Sequence, residues 1–550
     1  MKKLFVIAAA VAPFFGIAQN PISGGSVTGN VETMIQYLTT DSTIDAFAPE
    51  QKVVMNSFTN VNYSNGKFRA GMRFESYLPA VAGYPAFYTG TGIGYRFAQY
   101  NGDKVSFTAG NFYDQFGSGL IFRSYEERAL GLDNAMDGFR MQFIPIKGIN
   151  LKGVYGRQRY NFADGKVILS DGIVRGIDGD AYLNDLIPKL QDSKFKFSLG
   201  ASFVSRYQSA NNDTLRLPKN VGSYGGRIGM RYSRFYLNAE YVHKINDPNE
   251  QNGYIYNSGH GAFVTLGYSQ KGLGISLSAK SLDNMTFRSD REITGNQLFI
   301  NYLPATSKQH TYNLAGTLYP YATNLNGEVA YQLDVLYKVP KGTKIGGKYG
   351  TSINLNVAVA TGFVQHKNDS YNQNLISYTT NPFEMNDSLY NFDFNIQITR
   401  KLNKKFKLSA SYFHFVFNND INKVTNYASG YIKSDIVVLD LTYKIAKKHT
   451  VRAELQGLWT EQDRGDWAAM LIEYTISPNW FFAVLDQYNF GNEHPEDRLH
   501  YLLGSFGYIT GNNRFSVSYG KQRAGIFCIG GVCRPVPATN GLTFTFTTSF

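Results

Sequence analysis

Residues 235–245 read FYLNAEYVHKI, and the alternation in this stretch decides the fold. Phe235, Leu237, Ala239, Tyr241, His243 and Ile245 occupy one set of positions, and Tyr236, Asn238, Glu240, Val242 and Lys244 the other. Successive side chains on a β-strand point to opposite faces, so the stretch predicts a strand with one apolar and one polar face. The same division recurs at Phe195-Phe197-Leu199-Ala201-Phe203 and at Phe392-Phe394-Ile396-Ile398. It appears again from Phe406 through Leu408, Ala410, Tyr412, His414 and Val416, and at Val451-Ala453-Leu455. Alternation by itself does not say whether the apolar face meets lipid or a protein core.

The connections between strands supply that information. Short polar turns occur at Ser64–Lys67, Asn101–Lys104, Lys147–Asn150, Ser233–Arg234, Gln270–Gly272, Leu402–Lys405, Lys447–His449, Ser477–Asn479 and Gly511–Asn513. Between them lie long polar stretches at 113–135, 161–171, 208–220, 246–258, 285–296, 364–387 and 521–540. Short turns at one end and long loops at the other are the pattern of an outer-membrane barrel, with the short end periplasmic. The fold class predicted is an all-β, transmembrane, antiparallel up-and-down barrel of about 22–26 strands. Counting along the chain gives about 26, with the segments 172–182 and 297–303 the weakest strands. No long linker or fixed-period repeat divides the chain, so residues 19–550 are expected to form one barrel. A separate plug domain has no room unless a loop or the N-terminal segment turns inward.

Composition agrees. Aromatic residues make up 15% of the 550, with 39 Tyr and 40 Phe, yet the mean hydropathy is only −0.26. A barrel reconciles the two, because one face of each strand meets lipid and aromatic girdles mark both interfaces. Met1-Lys2-Lys3, the apolar run Leu4 to Ala18, and small residues Gly16 and Ala18 predict a signal peptide over 1–18, cut before Gln19. That run is broken by Pro13 and is shorter than the ~20 residues of a membrane helix. Leu542, Phe544, Phe546 and Phe550 share one face of the last strand. They resemble the terminal β-signal that barrel-assembly machinery reads. The expected location is the outer membrane, with lipid and that machinery as partners. The formal net charge of +12 falls to +10 once Lys2 and Lys3 leave. Its dispersed charges and the export signal argue against a nucleic-acid partner.

The most charge-dense stretch is 110–142, GNFYDQFGSGLIFRSYEERALGLDNAMDGFRMQ. Arg123, Glu126, Glu127, Arg128, Asp133, Asn134, Asp137 and Arg140 sit there among glycines. Facing carboxylates and guanidiniums on an inward loop would form a constriction, continued by Arg157, Arg159 and Arg175. The competing reading is a solvated loop whose surface ion pairs contribute little. Strand, Gly-rich loop, spaced arginines and Asp137-Gly138 entering a strand loosely resemble the alginate-export type of porin over about 50 residues. That resemblance implies an arginine-lined lumen and an anionic polymer. As a whole the chain is similar to large outer-membrane barrels of unestablished function. Lysines in short turns, such as Lys401, Lys404, Lys405, Lys447 and Lys448, add little field in a lumen.

Cys528 and Cys533, separated by Ile-Gly-Gly-Val, predict a small disulfide-closed loop in an oxidising compartment. No His lies in that loop, which argues against a metal there. Asp171, Asp178, Asp180 and Asp185 lack the order of a calcium loop, and polar loop and strand edge is the default reading. The eight histidines are scattered, and G-x-S-x-G and H-E-x-x-H motifs are absent. No catalytic residue, metal or cofactor is therefore expected, and the chain is not expected to be an enzyme. The functional expectation is a porin-like channel for a hydrophilic solute; an anionic one would suit the excess of basic residues. The alternative is a non-conducting barrel subunit of an outer-membrane secretion or assembly apparatus.

Overall fold

The computed structural model describes residues 24–210, 214–367, 378–529 and 532–550, the side chains at 527–529 and 532 excepted. The predicted signal peptide lies outside them. Among the described residues, 24 strands form one sheet in which each strand pairs antiparallel with its sequence neighbour in the wall. The sheet closes on itself. The first strand, Ser26–Thr39, pairs with Val53–Asn65 on one side and with the last strand, Thr539–Ser549, on the other. The closing register runs from Asn30↔Ser549 to Thr39↔Asn540. Backbone bonds between Gly29 and Phe550 complete the seam at 2.9 Å in both directions. Closure removes the unpaired edges that an open sheet would expose.

The parity read from 235–245 sets the two faces. On the strand Phe235–Lys244, Phe235 and Tyr241 are exposed on the outside, whereas Glu240, Val242 and Lys244 are buried on the inside. On Tyr431–Lys444, Val437 and Leu439 point out while Ile432, Ser434, Ile436 and Val438 point in. The outward side chains form an apolar band. Near the short turns it is edged by aromatic pairs: Phe235–Tyr268 at 4.8 Å, Trp480–Tyr508 at 4.5 Å and Phe515–Phe546 at 4.8 Å. Such a girdle suits a membrane interface. Among the described residues no helix is long and apolar enough to cross a membrane.

Two expectations about connections are corrected. The stretch 161–171 is not a loop: strands Ile149–Ala163 and Lys166–Tyr182 run through it and meet at a two-residue turn. Asp164 (φ 51°) and Gly165 (φ 76°) both take left-handed backbone, the Asp-Gly hairpin geometry that matches strand twist. The weak strand 172–182 is thus the second half of Lys166–Tyr182. The segment 297–303 is not a wall strand. It belongs to a connection of more than forty residues, 284–326, between Leu273–Asp283 and Gly327–Val339.

That connection does not project outward. Its Met285, Phe287, Ile300 and Leu303 pack with Phe116, Leu120 and Phe122 of the loop 113–135. Together they cover inward wall residues Val154, Val174, Val204, Val221 and Val242. Further along, Tyr312, Leu314, Leu318 and Tyr319, around a short helix at Asn313–Thr317, pack on Phe413, Phe415, Phe417, Ile436 and Trp467. One connection therefore lies against two separate arcs of the wall. The inward face is buried toward the long loops and opens toward the short turns. On Tyr431–Lys444 it runs from fully buried Ile432 through partly buried Asp440 and Thr442 to exposed Lys444. The interior is a polar vestibule at the short-turn end and a packed plug at the long-loop end.

Candidate functional site

The site is the seam between plug and wall, and charge holds it. Arg73 and Glu75 project inward from the strand Phe68–Tyr77, and Arg159 from Ile149–Ala163. A β-bulge there buries consecutive Gln158 and Arg159 together, where regular alternation would turn one of them outward. Arg159 grips both Glu75 oxygens at 2.7 Å and Asp133 Oδ2 at 2.9 Å. Arg73 donates to Glu75 at 2.7 Å, to Glu126 at 2.9 Å and to Asp133 at 2.5 Å. Arg128 joins Glu126 at 3.0 Å to Glu32 of the first strand at 2.8 Å. Tyr113 donates to Asp133 and Tyr77 to Glu75, each at 2.9 Å. Wall and loop 113–135 are thus joined by a buried network of guanidiniums and carboxylates.

A second knot fastens the connection 284–326. Arg206, Lys244 and Asp247 are fully buried, with Arg206–Asp247 at 2.8 Å and Lys244–Asp247 at 3.2 Å. Burial would raise the Asp247 pKa, but the adjacent Arg206 and Lys244 outweigh it and hold the carboxyl below its ordinary value. Lys244 also donates to Thr286 O at 2.6 Å and Arg206 to Arg288 O at 3.2 Å. Arg288 forms no ion pair with a described carboxylate; it lies over the Phe299 ring at 4.2 Å, and burial lowers its pKa to about 10. A third pair, Lys280–Glu328 at 2.7 Å, receives Tyr321 from the same connection.

The candidates named from the sequence fall into four groups. Glu126, Arg128, Asp133 and Arg159 meet in the first network. Arg123 stands between Tyr125 and Tyr302, 4.4 and 4.1 Å from their ring centroids, where the two inward segments touch. Arg140 holds Asp114 at 2.6 Å with Lys152 at 3.1 Å, while Glu127 forms no ion pair with a described residue. Asp137, Arg157 and Arg175 have outward parity. They contact Arg96 at 3.5 Å, Asp171 at 3.4 Å and Asn220 at 2.8 Å respectively. Arg73, Glu75 and Glu32 escape a search of loops because they lie on wall strands. Their signal is charge on the inward parity of 26–39 and 68–77.

The aspartates at 171–185 are engaged as well. Asp178 and Asp180 hold Arg227 at 2.8 and 2.6 Å, and Asp185 holds Lys147 at 2.9 Å. Among the described residues no group of three or more His, Cys, Asp or Glu could hold a metal ion. Cys533 is disulfide-bonded, and Cys528 faces it across the ladder of Gly525–Ile529 with Val532–Val536. The Cys528 side chain lies outside those described. Leu542, Phe544 and Phe546 lie on the closing strand, and Phe550 follows it.

One glycine lets the plug approach the wall. Gly172 faces inward, and a Cβ there would lie 1.7 Å from Ser289 O. Gly172→Val is expected to push residues 287–291 off the wall, costing about 1–3 kcal/mol by overpacking. Limited trypsin digestion checks it: Arg288 and Arg291, 3% and 2% exposed, should become early cleavage sites. Unchanged cleavage would refute the tight approach.

The chain belongs to the family of unknown function DUF6029, whose model matches residues 1–550. Solved structures similar to it include the three that follow. The copper transporter OprC is 10% identical over 96% of this chain and 80% of its own, with a TM-score of 0.39. The P pilus usher PapC translocation pore is 9% identical over 95% and 99%, with a TM-score of 0.40. The siderophore receptor PirA from Pseudomonas aeruginosa is 9% identical over 95% and 80%, also at 0.40. These comparisons give no support to the alginate-export likeness of residues 110–142. A search of curated proteins found no match.

Proposed function

We propose that this protein is an outer-membrane barrel of the transport type, closed at rest, that handles a hydrophilic cargo. Its long loops would face the exterior and its short turns the periplasm, with delivery by the signal at 1–18. The closing strand with Phe544, Phe546 and Phe550 would be read by the assembly machinery. One observation carries the reading: a polar vestibule lined by residues such as Asn354, Gln397 and Thr442 ends on a packed floor formed by 113–135 and 284–326. Barrels of about 22 strands are wide enough that their lumen is commonly plugged.

An anionic preference draws little support from the lumen charges. Arg73, Arg159 and Arg128 are matched by Glu75, Asp133, Glu126 and Glu32. Arg452 faces Asp440, Glu454 and Glu473. Matched charges cancel as a field, and those of the first network also fasten loop 113–135.

Planar-bilayer recording of the purified full chain tests the proposal. The expected record is near-silent, with rare brief openings. A large steady conductance would overturn the closed state and restore a porin-like channel. The same occlusion favours a second reading, a non-conducting subunit of a secretion or assembly apparatus, which a stable co-purifying partner would single out.

A further inference from the structure

Where loops 78–89 and 113–135, the connection 284–326 and the strand Val532–Val536 meet, they line a cavity of about 260 Å³. Its lining includes Tyr88, Asp133, Arg159, Asn296, Leu298 and Arg534. The negative charge in it is already neutralised. Asp133 Oδ2 accepts from Arg73 and Arg159, and its Oδ1 accepts from Tyr113 and from the Ala135 N–H at 3.0 Å. Arg534 is different. Its Nη2 donates to Ala129 O at 3.3 Å and its guanidinium lies 5.3 Å from the Tyr84 centroid. Its Nε and Nη1 are buried without a hydrogen-bond partner, as is Nε of Arg159. No described carboxylate lies within ion-pair distance of Arg534. Buried donors on a cation are costly to leave unmade, so an acceptor from outside the chain has a place here.

We propose that this cavity binds the oxyanion of a small solute, a carboxylate or phosphate group, between Arg534 and Arg159 Nε. Tyr88, Leu130 and Leu298 leave room for an apolar remainder beside the charge. The position gives such binding a consequence. Arg534 also lines a second cavity of about 470 Å³, bounded by inward residues Glu32, Gln36, Asn56, Ser518 and Thr543. It therefore stands between the junction of the plug segments and the lumen wall. Its hairpin touches both inward segments: Arg534 bonds Ala129, and Asn296 donates to Cys533 O. A bound oxyanion would draw Arg534 away from Ala129 and so bear on the seal. That consequence rests on the closed-barrel reading, while the binding itself does not.

Calorimetric titration of the detergent-solubilised full chain with inorganic phosphate, and separately with acetate, tests the site. Saturable binding of at least one probe is expected. Arg534→Gln should weaken it roughly 10- to 100-fold, the range for losing a charge-assisted hydrogen bond, and Arg175→Gln, outward on the wall, should not. The probe that binds decides between phosphate and carboxylate chemistry. Equal affinity in Arg534→Gln and the parent, or no saturable binding of either probe, overturns the proposal. A measurement on the unaltered chain guards against a variant that misfolds. Phosphate or acetate should slow phenylglyoxal modification of Arg534 while leaving Arg175 unchanged, and equal protection of both would also overturn the site. Neither readout depends on conductance, so failure here is distinguishable from failure of the closed-barrel reading.

Discussion

Replacing residues 286–324 with a short glycine-serine turn is expected to convert a near-silent barrel into an open pore. Asp283 and Gly327 are directly paired at the ends of their strands, so the ladder can be closed by a hairpin without disturbing the wall. The excised chain carries Phe287, Ile300, Leu314 and Tyr319 out of the lumen. A lumen of this strand number should then pass ions with a conductance roughly tenfold or more above the parent. The same excision bares Phe413, Phe415, Phe417 and Ile436 to water. Each loses about 1.5–3 kcal/mol of burial, so thermal stability should fall as conductance rises. Backbone pairing around the closed sheet keeps the barrel intact despite that loss. Bilayer recording with a heat-modifiability gel checks both. Silence from a folded variant would place the seal elsewhere and refute the assignment of 284–326 as the main obstruction.

Arg159→Met should be among the most damaging single substitutions. Arg159 and Glu75 are 1% and 0% exposed at their side chains, and Asp133 6%. Removing one member of a buried ionic network strands its partners and typically costs about 3–5 kcal/mol. Methionine keeps most of the volume, so the loss would be electrostatic rather than a cavity. Loop 113–135 should loosen first, because Asp133 is one of its anchors to the wall. Denaturant unfolding in detergent, with protease cleavage at 113–135 as a local probe, measures the effect. The double variant Arg159→Met/Glu75→Gln should recover part of the loss, since it removes charge of both signs. Additive losses would show that the two residues do not act as a unit.

The barrel could be read from the chain because its determinants are local. Alternation at 235–245 and 406–416 fixes which side chains share a face, and turns such as Ser233–Arg234 fix where strands reverse. An Asp-Gly pair at 164–165 was as legible as any turn, yet the polar residues around it made 161–171 look like a loop. Strand identity there depended on φ at two residues, not on polarity.

The plug had a weaker trace. Residues 412–418, YFHFVFN, and 436–439, IVVL, are apolar on both parities, which a strand facing water inside would not be. That pattern says something packs on the inner face, but not which segment does so. Glu126, Arg128 and Asp133 invited an inward loop, whereas their partners Arg73 and Glu32 lie far away in sequence.

The sequence by itself determined an antiparallel barrel with its outward face apolar, its two ends unequal and its first and last strands adjacent. Period, turn chemistry and loop length are properties of neighbouring residues. Only the tertiary structure decided that 284–326 turns inward, that 113–135 is clamped by Arg73 and Arg159, and that Asp137, Arg157 and Arg175 face out. A side chain's parity depends on bulges and registers set by pairing. A loop's direction depends on whether distant wall residues offer matching charge and apolar surface, and no local pattern records that.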